Sequence, residues 1–79
     1  MRILDDASDN RINQVSIFLT KQEALQFLGY VEQLLEDPNT HHSHLSSEDY
    51  QKEITISLYD LNDLYSFHPR AKKLILEDE

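Results

Sequence analysis

Three histidines fall within four residues, His41-His42-Ser43-His44, in a chain whose other ionisable side chains are mostly acidic. An imidazole can ligate zinc, titrate near neutral pH, or offer a polar aromatic contact to a partner. Side chains alternate across an extended backbone, so His42 and His44 share a face about 7 Å apart while His41 points the other way. Such a pair is a workable half of a zinc site. A third ligand would come from Asp49, Glu53, Asp60 or His68, and the candidate metal set is His42, His44 and His68. No second ligand pair at the spacing of a zinc motif accompanies the run. Three uses stay open: a metal site, a pH-responsive site and a recognition face. The balance falls toward recognition with no resident cofactor, and zinc is the alternative.

The acids form two groups, Asp5, Asp6 and Asp9 in one turn region and Glu48, Asp49 and Glu53 around another. Paired carboxylates can do acid–base work or bind calcium or magnesium. Neither group has EF-hand spacing or a glycine-rich ligand loop, so both read as solvated turn acids. Ser43, Ser46 and Ser47 lie near the histidines without a G-x-S-x-G turn. The single glycine, Gly29, cannot make a phosphate loop or a dinucleotide fingerprint. The chain reads as non-enzymatic. Its candidate partner-binding residues are His42, His44 and Glu53, with Tyr59 as an aromatic contact and Glu32 and Glu36 as acids near the end of a helix.

The elements that must position these residues follow from composition and periodicity. Seventy-nine residues make one small domain with a thin stability margin. There is no cysteine, hence no disulfide and no thiolate site. Fifteen acids against seven Lys and Arg give a net charge of −8 with His neutral. That field repels nucleic-acid phosphates and anionic membranes and suits a basic protein partner. No apolar run is long enough for a signal peptide or a membrane span, so the expected setting is soluble and cytoplasmic, and the style of the chain is that of a bacterial or phage protein.

Arg2–Leu4 reads as a short edge strand, 5–10 as a turn, and Arg11–Leu19 as a strand with Val15, Ile17 and Leu19 on one face. Thr20-Lys21-Gln22-Glu23 is a capping box. Ala24, Phe27, Leu28, Val31, Leu34 and Leu35 follow at helical spacing, Glu23, Glu32 and Glu36 fall on the wet side, and Asp37-Pro38-Asn39 stops the helix. His41–Leu45 and Gln51–Tyr59 read as a hairpin around Ser46-Ser47-Glu48-Asp49. Ile54, Ile56 and Leu58 point one way, and Thr55, Ser57 and Tyr59 the other. Pro69 suits the first position of a last helix, with Ala71, Leu74 and Ile75 inward. The expected fold is α+β: β-β-α-β-β with a short C-terminal helix, and an antiparallel sheet with the main helix packed on one face. Open strand edges in such a sheet invite a homodimer or strand addition to a partner.

The segments Leu34-Leu35-Glu36-Asp37-Pro38-Asn39, His41-His42-Ser43-His44 and Lys52 to Asp60 together resemble small bacterial immunity-type proteins. Those proteins accompany polymorphic toxins and neutralise them by binding. The resemblance spans about residues 15–75 and lies in pattern rather than in a motif. It implies a non-enzymatic inhibitor, immunity-like or antitoxin-like, that binds a toxin; the −8 charge, the small size and the lack of catalytic motifs point to a basic partner, a nuclease or another nucleic-acid-binding protein.

Overall fold

The computed structural model describes residues 1–37 and 42–79. The fold is α+β, with the order β1 (Ile3–Asp5), β2 (Asn10–Ile12), α1 (Lys21–Glu36), β3 (His42–Ser46), β4 (Glu53–Ser57) and α2 (Pro69–Glu77). The strands form two antiparallel two-stranded sheets, β1-β2 and β3-β4. The chain divides into two compact units. A terminal unit comprises Met1–Ile17 with Tyr59–Glu79, and a central unit comprises Phe18–Leu58. Pro38, Asn39 and His41, named above as helix stop and strand start, lie outside the described residues.

In the terminal unit, β1 and β2 pair with Ile3 opposite Ile12 and Asp5 opposite Asn10. The turn closes because Asp5 Oδ1 accepts from the Ala7 N–H at 3.0 Å and the Asp9 N–H donates to the Asp5 carbonyl at 2.8 Å. The Ser8 side chain, followed by the Ala7 and Ser8 N–H groups, holds the Asp5 carboxyl below its ordinary range. The expected strand 11–19 ends at Ile12. β1 offers only three residues to pair with, so nothing on β1 receives the backbone beyond Ile12. Val15, Ile17 and Leu19 accordingly stay exposed instead of forming a strand face.

α2 begins as the sequence requires. Pro69 occupies the first turn, where its missing N–H costs nothing. His68 Nδ1 accepts from the Ala71 N–H at 3.3 Å, and Leu74 and Ile75 are buried. The three arginines of this unit are engaged with its own backbone and acids. Arg2 Nε donates to the carbonyls of Leu74 and Ile75 at 3.1 and 3.3 Å. Arg70 donates to the Asp9 carbonyl and lies 3.2 Å from its carboxylate. Arg2 and Arg11 approach Asp78 at 3.7 and 3.8 Å.

In the central unit the capping box is complete. The Glu23 N–H donates to Thr20 Oγ1 at 3.1 Å, and the Thr20 N–H donates to Glu23 Oε1 at 2.9 Å. Asp37 closes α1 in extended backbone, the conformation a following proline favours. The helix packs on β3, where Leu34 and Leu45 are 3% and 2% exposed. Its inward stripe is Glu23, Phe27, Tyr30, Val31 and Leu34. Ala24, Leu28 and Leu35, expected inside, are exposed, and Glu23, expected outside, is buried. The cause is the width of the surface beneath. Two strands about 4.8 Å apart cover only a narrow stripe of a helix. Gly29 lies on the exposed side, where a Cβ would meet no described residue within 4 Å beyond its chain neighbours and its own helix backbone.

Candidate functional site

The candidate site is the outer face of the β3-β4 hairpin. Leu45, Ile54 and Ile56 are withdrawn from solvent, whereas His42, His44, Ser46, Glu53, Thr55 and Ser57 are exposed. Period-2 alternation requires this split. Cross-strand register then decides which exposed residues meet. His42 lies opposite Ser57, His44 opposite Thr55, and Ser46 opposite Glu53.

His44 is the centre of the arrangement. Its Nδ1 is 2.8 Å from Thr55 Oγ1, the residue directly across the ladder. It is also 2.7 Å from Glu53 Oε1, the diagonal neighbour on the same face. With Nδ1 carrying the proton, the ring donates to Glu53 and leaves Nε2 unprotonated as an acceptor. A carboxylate behind an imidazole fixes ring orientation and tautomer in this way. The His42 ring meets that of His44 edge-on, with centroids 4.8 Å apart and planes at 77°. This geometry is open to solvent: the side chains of His44 and Glu53 are 49% and 57% exposed.

The register is set by the connecting turn. Ser47 Oγ accepts from the N–H groups of Gln51 and Lys52 at 3.2 and 3.0 Å, and Asp49 Oδ1 accepts from the Gln51 N–H at 3.0 Å. The Ser47 hydroxyl donates to Asp49 Oδ1. That bond first, and the Gln51 N–H second, hold the Asp49 carboxyl below its ordinary range. Tyr50 adopts a left-handed φ of 59°, rare for a bulky residue. The turn is also tied to the helix, because the Glu48 N–H donates to Glu23 Oε2 at 2.9 Å. The Thr20 N–H, then the Glu48 N–H, hold the Glu23 carboxyl below its ordinary range.

Of the residues expected to bind a partner, the structure gathers His42, His44 and Glu53 on this face. Glu32 and Glu36 are exposed on α1 and not on the hairpin. Tyr59 is not on the strand at all. β4 ends at Ser57 rather than at Tyr59, and Tyr59 belongs to the terminal unit. His68, the third expected metal ligand, is also in the terminal unit, where its Nδ1 caps α2. Among the described residues no group of three or more His, Cys, Asp or Glu is arranged to hold a metal ion. Thr55 is the member that sequence reasoning left out of the site. Its position opposite the Ile54–Ile56 face was visible, but its contact with His44 depends on register.

Within each two-stranded sheet every strand has one neighbour, so outer edges remain unpaired among the described residues. No helix among them is long and apolar enough to cross a membrane. Comparison of the chain with protein-family models, curated proteins and solved structures finds no match.

Proposed function

We propose that this chain is a non-enzymatic, acidic protein-binding module, an immunity-like or antitoxin-like inhibitor of a basic partner. The observation that carries the reading is the disposition of charge. Fourteen of the fifteen carboxylates are exposed, Glu23 being the exception. The central unit holds seven of the fifteen against Lys21 and Lys52 alone, and the ordered face of His42, His44, Glu53 and Thr55 lies within it. A preset polar face in a negative field is suited to a cationic protein surface. Complementary charge accelerates encounter and makes it salt-sensitive.

The test is affinity capture from lysate of the source cell, followed by binding of the purified partner across ionic strength. The expected result is a Lys- and Arg-rich partner whose association weakens steeply with salt and is reduced by His44→Ala with Glu53→Ala. Capture of nothing, or binding indifferent to salt and to both substitutions, contradicts the reading.

A further inference from the structure

The side of α1 that faces away from its sheet carries Leu25, Leu28 and Leu35, with Lys21 and Glu32 continuing the same alternating four-and-three spacing. The three leucines are 54%, 54% and 69% exposed. Positions at this spacing form the seam along which two helices pack. Gly29 adjoins the middle of the seam, and among the described residues, its own helix backbone and chain neighbours aside, none comes within 4 Å of the place its Cβ would occupy. A bare backbone at the centre of an exposed helix lets another helix come close. The charges on the exposed side of α1 run from base to acid: Lys21 stands in its first turn, Glu32 and Glu36 near its end, with no base in its last turn, while the acid of the first turn, Glu23, is buried on the inward stripe.

We infer that α1 docks on the α1 of a second copy, antiparallel, with the two helices crossing at Leu28 and Gly29. The antiparallel arrangement sets Lys21 of each copy against the Glu32–Glu36 end of the other and opposes the two helix dipoles. A parallel pair would bring acid onto acid. The contact leaves the His42–His44 face of each copy open, because that face lies across the sheet from the helix. Sixteen residues give a helix of about 24 Å, so the interface is at the small end of stable contacts and the dimer is weak. Its net charge also works against it, and the leucines supply the attraction while the charges choose the orientation.

Sedimentation equilibrium of the full chain from about 10 μM to about 1 mM tests this, that range spanning weak association. The expected result is a monomer–dimer equilibrium that Leu28→Glu abolishes. Lys21→Glu weakens it at least about tenfold, and the exchange Lys21→Glu with Glu36→Lys restores it. Gly29→Gln separates interface from folding: it raises the melting temperature, since glycine is the poorer helix former, yet weakens the dimer. A monomer over the whole range overturns the inference. So does a dimer indifferent to Leu28→Glu and Gly29→Gln, the expected behaviour if the copies met at strand edges instead.

Discussion

Replacing Thr20 by alanine isolates the device that fixes the start of α1 and the position of the hairpin turn. The Thr20 hydroxyl accepts the Glu23 N–H at 3.1 Å, and Glu23 in turn accepts the N–H groups of Thr20 and Glu48, each at 2.9 Å. Thr20→Ala removes the hydroxyl and leaves the Glu23 N–H without its acceptor. Loss of a Ser or Thr cap costs about 1 kcal/mol, within a range of about 0.5–2. For a domain near this size about 1 kcal/mol lowers the melting temperature by about 4–8 °C. Thr20→Ser keeps the oxygen and restores most of the loss. Thermal unfolding followed by far-ultraviolet circular dichroism measures both. Equal melting temperatures for Thr20→Ala and Thr20→Ser would refute the assignment of the cap as a stabilising element.

Other substitutions probe other levels of the structure. The Glu23 carboxyl titrates lower when folded than when unfolded, so its contribution is present above its ordinary value of 4.5 and is lost as pH falls through the lowered folded value. Glu23→Gln removes that part of the acid sensitivity, and the stability curve of the variant is shallower below about pH 4.5 while Asp5 and Asp49 still contribute. A curve as steep as the native one counts against the carboxylate's role. Leu45→Ala, at the most buried side chain of the core, costs about 2–5 kcal/mol by denaturant titration; a loss under about 1 would mean that the helix–hairpin contact is not the core. Tyr50→Gly relieves the left-handed φ of 59° and leaves stability unchanged or raised by up to about 1 kcal/mol, whereas a clear loss would show that the tyrosine ring stabilises the turn. Nitrogen-15 NMR of neutral His44 shows the proton on Nδ1, moving toward Nε2 in Glu53→Ala with Thr55→Ala. The same tautomer in both proteins would disprove the orienting contacts.

How far the sequence foretold these features depends on the range of the interaction involved. The capping box at Thr20 and Glu23 was readable because all its partners lie within four residues. The burial of Glu23 was not, since its second partner, the Glu48 N–H, stands 25 positions away. Alternation placed His42 and His44 on one face. Only the register of the turn from Ser47 to Lys52 could bring Glu53 and Thr55 to His44. The strands were read too long at Leu19 and Tyr59 because apolar alternation continues past the last residue that has a pairing partner. The apolar stripe of α1 was read too wide for the opposite reason: Leu28 and Leu35 have the right spacing, but a two-stranded sheet does not reach beneath them.

The association rate of the purified protein with its captured partner, measured by stopped flow across ionic strength, tests the proposed function most directly. An acidic module that recognises a cationic surface predicts a rate that falls by about tenfold or more between low and high salt. It also predicts that Glu53→Lys slows the rate at low salt and matters less at high salt. A rate that neither salt nor the charge reversal changes would contradict the account.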